Sequence, residues 1–202
     1  ANREGLTLLE PLSLKVNGMH SNDIFPLLLG DVVVARYGLD RLNREKEEVY
    51  PDMYRDKVTP IAGIIELLQA AKAAGVKCAI GSSGCRENVE MIIKGLGVAD
   101  LIDASISGSD VTHGKPHPEI FTKAHELLGL KAEECIVVED AVNGIVAGVR
   151  AGCKCLAVTT TATAEVLAEE VKPLPAPTTV KGKAWYWGGF IACMVFSLII
   201  YS

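Results

Sequence analysis

Two adjacent carboxylates, Glu139 and Asp140, follow directly on the apolar run Ile136-Val137-Val138, and a helix-like stretch opens just after them at Ala141. Acids at the carboxyl end of a strand stand where open parallel sheets bind their ligands. A pair of them suits a hard cation such as Mg²⁺, which takes oxygen ligands and keeps waters for a phosphate. Upstream, Gly114-Lys115-Pro116-His117-Pro118 sets a lysine in a proline-restricted loop ahead of an amphipathic helix. Earlier still, Lys77-Cys78-Ala79-Ile80-Gly81 runs into Ser82-Ser83-Gly84. A hydroxyl at Ser82, an ammonium at Lys115 and the carboxylates of Glu139 and Asp140 are the parts of a phosphate site. Each would stand at the end of a successive strand.

The elements that must position these groups alternate regularly. Strand-like runs over 76–81, 104–107, 135–138 and 154–158 are interleaved with helical patterns over 87–96, 118–128, 141–151 and 163–171. Such alternation predicts right-handed crossovers and a parallel sheet covered on both faces. A preceding helix is expected from Thr59-Pro60, with Ile61, Ile64, Ile65, Leu68 and Ala71 at helical spacing and Gly75 as its stop. Before it, Ser21 or Asn22 can cap a helix through Ile24, Phe25, Leu28 and Leu29, and 39–55 is a charged helix with a thin apolar face. The expected organisation is a partial helical cap over 1–58 and an α/β core over 59–171.

Composition narrows the function classes. A net charge of -5 over 202 residues argues against a general nucleic-acid binder, which needs a basic face. The six cysteines fit neither a secreted disulfide framework nor a zinc site, and most are expected to be buried small hydrophobes in a reducing compartment. His20, His113 and His117 show no metal-ligand spacing and are expected in loops. No signal peptide is apparent at the amino terminus.

The carboxyl-terminal stretch reads differently. Pro173, Pro175 and Pro177 mark 172–183 as an extended linker, and 184–201 carries no charge. About 18 apolar residues suffice to cross a hydrocarbon core of roughly 30 Å. Trp185, Tyr186 and Trp187 at one edge and Tyr201 at the other stand where interfacial aromatics do. Lys181 and Lys183 place the globular part on the cytoplasmic, stromal or matrix side. The expectation is a single transmembrane helix over 184–202 in an organellar membrane, thylakoid or mitochondrial inner. Lipid and other membrane-protein subunits would be its partners.

Three motifs, Gly81-Ser82-Ser83-Gly84, Gly114-Lys115-Pro116-His117-Pro118-Glu119-Ile120-Phe121 and Val137-Val138-Glu139-Asp140-Ala141-Val142-Asn143-Gly144-Ile145, resemble the haloacid dehalogenase superfamily. The similarity is to its beta-phosphoglucomutase-like subgroup and runs over about 17–169. It implies a Rossmann-like α/β core with a small helical cap. By that resemblance Ser82 binds phosphoryl oxygens, Lys115 neutralises nucleophile and phosphate, and Asp140, helped by Glu139, holds Mg²⁺. The family's opening strand ends in Asp-x-Asp-Gly, whose first aspartate attacks phosphorus; no Asp-x-Asp occurs in this sequence. The missing strand is also the central one of the family's sheet, so another segment must fill its place, with Gly5-Leu6-Thr7-Leu8-Leu9 a candidate.

Two functional expectations follow. The first is a membrane-anchored, non-catalytic accessory or scaffold subunit with a vestigial phosphate and Mg²⁺ site, the metal weakly held or not at all. The alternative is a Mg²⁺-dependent phosphatase, or sugar-phosphate mutase, whose nucleophile lies upstream of Ala1.

Overall fold

The computed structural model describes residues 16–170 and 193–196. Their core is a five-stranded sheet of β1 (Lys77–Gly81), β2 (Ala104–Ile106), β3 (Cys135–Glu139), β4 (Lys154–Ala157) and β5 (Cys193–Phe196). The order is β2-β1-β5-β3-β4, and every pairing is parallel. This is the Rossmann-like α/β arrangement that the alternating pattern predicts.

Before the sheet come α1 (Ser21–Leu29), α2 (Asp31–Tyr37), α3 (Leu39–Tyr54) and α4 (Ile64–Ala73). Between and after the strands run α5 (Arg86–Leu96), α6 (Glu119–Leu127), α7 (Val142–Arg150) and α8 (Ala164–Glu170). Side chains alternate along each strand, so neighbours enter opposite faces. Cys78, Ile80, Ile136 and Val138 pack with Leu68 and Ala71 of α4 and Val89 of α5. Ala79, Cys135 and Val137 pack with Ile120, Phe121 and Ala124 of α6 and Ala147 of α7. Ile120, Phe121 and Ile145 are almost wholly buried, each stabilising the layer by roughly 1.5–3 kcal/mol. Two covered faces explain why these strands read as near-continuous apolar runs.

Two helix starts differ from expectation. α4 begins at Ile64, not at Thr59-Pro60, because Gly63 adopts a left-handed conformation (φ 85°) that interrupts the backbone ahead of it. α1 is capped by His20, whose side chain accepts the Asn22 N–H, in place of Ser21 or Asn22.

The largest difference concerns the carboxyl-terminal stretch expected to be a transmembrane helix. Its described part, Cys193–Phe196, is β5, the central strand. Cys193 aligns with Lys77 of β1 and Cys135 of β3, and Phe196 with Ile80 and Val138. Without β5, both neighbours would present unpaired N–H and C=O groups inside the molecule, each costing on the order of 1–3 kcal/mol. An apolar segment supplies what that gap demands, and hydrophobic periodicity alone cannot separate a buried strand from a buried helix. Among the described residues no helix is long and apolar enough to cross a membrane. The Gly5–Leu9 stretch proposed as filler, the proline linker, and Trp185, Tyr186, Trp187 and Tyr201 lie outside the described residues.

Candidate active site

The strand ends converge on one cavity of about 220 Å³, lined by Ser82, Ser83 and Gly84 after β1, Lys115, and Glu139 and Asp140 at the end of β3. The Asn17-Gly18-Met19 turn and Lys46 of α3 close its other side. The four site residues drawn from the sequence therefore share one wall-to-wall space.

Lys115 is 1% exposed and Glu139 0%, and their Nζ and Oε1 lie 2.8 Å apart. Lys115 Nζ also donates to the Gly81 carbonyl at 3.0 Å and sits 4.8 Å from the centre of the Phe121 ring. Glu139 Oε2 accepts the N–H groups of Asp140 and Ala141, both at 2.7 Å. The carboxylate is thus fixed by the backbone that opens α7 and neutralised by the lysine. Gly144 makes this geometry feasible, since a Cβ there would overlap the Glu139 carboxylate. The Asn143-Gly144 pair lets the helix approach the acid directly.

Asp140 lines the same cavity. Thr160 Oγ1 donates to its Oδ2 at 2.7 Å, and Thr161 Oγ1 to its carbonyl at 2.8 Å. Burial raises the Asp140 pKa above the ordinary carboxylate value, the Thr160 hydrogen bond opposes this, and the charge of Glu139 raises it further. A carboxylate crowded by a second acid in a partly buried cleft fits a cation. Mg²⁺ is commonly held through one or two carboxylates, with waters and a substrate phosphate completing its shell. Asp140 suits such a role; Glu139 already gives its oxygens to Lys115 and two amides, so its fit is as the counter-charge behind the site.

At the hydroxyl end, Ser82 N–H donates to Ile106 O at 2.9 Å, extending the β1–β2 ladder, and Ser82 Oγ accepts the Gly84 N–H at 3.2 Å. Ser83 Oγ donates to Gly18 O at 2.6 Å, and Asn143 Nδ2 to Asn17 O at 2.9 Å. The turn across the cavity mouth is therefore pinned from the β1 loop and from α7. The central strand, β5, carries no carboxylate, and Glu139 and Asp140 are the acids among the described cavity-lining residues.

Reasoning from sequence missed three contributors. Thr160 and Thr161 follow the next strand end, and the hydroxyl run Thr159-Thr160-Thr161 is the signal that could have found them. Lys46 belongs to a helix read only as charged with a thin apolar face, yet its Nζ reaches Ser21 Oγ at 2.8 Å and lines the cavity. Arg86 opens α5 and pairs with Asp110, while the buried Asn88 donates to Glu47 of the cap. His113 and His117, expected as loop residues without ligand spacing, come together with Glu119.

The sequence profile of haloacid dehalogenase-like hydrolases matches residues 15–158. The chain belongs to that family. The chain is 39% identical over 119 residues to validoxylamine A 7'-phosphate phosphatase of Streptomyces hygroscopicus subsp. limoneus, covering 59% of the chain and 55% of the relative. It is 36% identical over 122 residues to the pyrophosphatase PpaX of Bacillus cereus, covering 60% and 56%. The fold is similar to that of beta-phosphoglucomutase from Clostridium difficile, with a TM-score of 0.67, 22% identity and 84% of each chain covered. The chain spans about half the length of these two sequence relatives.

Proposed function

We propose that the protein is a Mg²⁺-dependent phosphoric monoester hydrolase of the haloacid dehalogenase type, whose attacking aspartate lies upstream of Ala1. The observation that carries this is the convergence of Ser82, Lys115, Glu139 and Asp140 from separate strand ends on one cavity. The likeness to two hydrolases of phosphate compounds supports it over a scaffold role.

Phosphoryl transfer needs positioning and charge neutralisation more than elaborate acid–base chemistry. Ser82 Oγ accepts the Gly84 N–H and keeps its own O–H to donate to a phosphoryl oxygen, and Lys115 brings a buried positive charge whose desolvation strengthens its field. Glu139 aims that lysine. Asp140 would hold Mg²⁺, which when bound neutralises charge on the phosphoryl group. The attacking carboxylate forms an aspartyl-phosphate as the ester P–O bond breaks, and water then hydrolyses that intermediate, splitting one hard step into two. In the longer chain the strand bearing that aspartate takes the place between β1 and β3 that β5 holds here.

The test is to express residues 1–202 with the preceding coding sequence and to measure phosphate release from a panel of sugar phosphates with and without Mg²⁺. Robust turnover is expected, abolished by Lys115→Ala and by Asp140→Asn, while 1–202 alone gives none. Absence of an Asp-x-Asp ahead of Ala1, or turnover indifferent to both substitutions, defeats the proposal.

A further inference from the structure

We infer that His113, His117 and Glu119 form a transition-metal site, suited to Zn²⁺, on the loop that carries Lys115. One ligand atom from each residue lies within 4.8 Å of the others. Zinc takes imidazole nitrogen and carboxylate oxygen at about 2.0–2.2 Å in tetrahedral array, and two histidines with one glutamate leave a fourth position for water. Tetrahedral ligands at those bond lengths stand roughly 3.3 Å apart. His113 Nδ1 and Glu119 Oε2 already lie 3.2 Å apart, and the His113 and His117 ring centres are 4.5 Å apart. The closure still required falls on rings at the surface: the His113 side chain is 63% exposed.

The carboxylate is the fixed part of the site. Glu119 accepts the N–H of Thr112 at 3.0 Å through Oε1 and that of His113 at 2.9 Å through Oε2. Lys123 Nζ meets Oε1 at 2.7 Å, on the oxygen not facing His113. The Lys123 ammonium and the two amides hold the carboxylate in place from three directions, leaving Oε2 turned to His113. Hydrogen bonds of this kind orient a ligand for its metal. The Glu119 N–H contact to His117 Nδ1, at 3.3 Å, is long and is given up at little cost.

The site differs from the phosphate cavity in ligands and in place. His113 and His117 flank Lys115 in the chain, while the Lys115 side chain points the other way, into the buried pair with Glu139. Gly114 packs so closely on His20 that a Cβ there would collide with it. Metal bound across His113 and His117 therefore ties together the two shoulders of the loop that aims the phosphate-binding lysine.

The experiment is calorimetric titration of ZnCl₂ into the chelator-treated full chain, with wild type, His113→Ala, His117→Ala and Asp140→Asn in parallel. One zinc per chain is expected in wild type and in the Asp140 variant. Each histidine variant should weaken binding by at least about 100-fold, the upper figure for losing a mere orienting partner. Amide exchange across 112–119 should slow on adding zinc to wild type and stay unchanged in His117→Ala. Binding that survives both histidine substitutions, that vanishes in Asp140→Asn, or that is absent from wild type up to millimolar zinc overturns the assignment.

Discussion

Replacing Lys115 by methionine keeps most of the side-chain volume and deletes the charge. Glu139, fully buried, then retains two amide hydrogen bonds to Oε2 while Oε1 loses the ammonium 2.8 Å away. Breaking one side of a buried ion pair typically costs about 3–5 kcal/mol, because the surviving charge is left uncompensated. For a chain of this size each kcal/mol lowers Tm by about 2–4 °C, so Lys115→Met should melt about 6–20 °C below wild type. Glu139→Gln alone strands the lysine and should cost a similar amount. Combined, the two changes leave a neutral pair in which the glutamine oxygen can still accept the Asp140 and Ala141 amides. The double variant should therefore recover part of the loss, with a coupling energy of about 2 kcal/mol or more. Urea unfolding of the four proteins, followed by circular dichroism, reads the cycle. A Lys115→Met loss below about 1 kcal/mol, or single losses that simply add, would refute the buried-pair reasoning.

Gly144→Ala should be as damaging as removing the lysine, since the new methyl group occupies the Glu139 carboxylate position and drives it out of the pair; a thermal melt within 2 °C of wild type, on the order of 1 kcal/mol, contradicts this. Asp110 is held down to about 2, first by its hydrogen bond to Arg86 and then by those to Ser107 against the cost of burial. Its unfolded value is near 3.9, so the stabilisation is complete above about pH 4 and is lost as pH falls through about 2. Both partners are partly exposed, which limits the effect to about 1 kcal/mol, and Asp110→Asn should flatten the stability profile over that window. Burial pushes Cys78 up to about 11 and Cys85, Cys153 and Cys155 up to about 12. Iodoacetamide at pH 8 should accordingly label these four thiols slowly in the native protein and quickly in urea, as peptide mass spectrometry will show.

The strand-end cavity was legible because its residues sit at strand ends. Once the alternation places β1 and β3, Ser82 and the Glu139-Asp140 pair have no other location, and the proline-bounded loop brings Lys115 alongside. What the sequence did not disclose depends on distant partners. The run over 184–201 satisfies a membrane-length rule as well as a buried-strand rule, and only the gap between β1 and β3 chooses the strand for Cys193–Phe196. His113, His117 and Glu119 lie at intervals that no regular helix brings onto one face. The turn through Pro116 and Pro118 gathers them, and turn geometry has no periodic signature to read. Lys46 was masked for a related reason, since a charged helix gives no sign of which of its charges faces a cavity.

The position of β5 sets an order on how residues 1–202 can assemble by themselves. Its partners extend to Lys77, so the central pairing joins segments separated by most of the chain. Such non-local closure is slow, because loop entropy is lost before any contact repays it. In residues 1–202 taken alone, β1 with β2, and β3 with β4, stand as two half-sheets with bare inner edges until residues 193–196 pair between them. Those edges are templates for pairing with any extended apolar segment nearby. On their own, residues 1–202 thus pass through an interval in which their interior is their most adhesive surface, and the strand at 193–196 seals it.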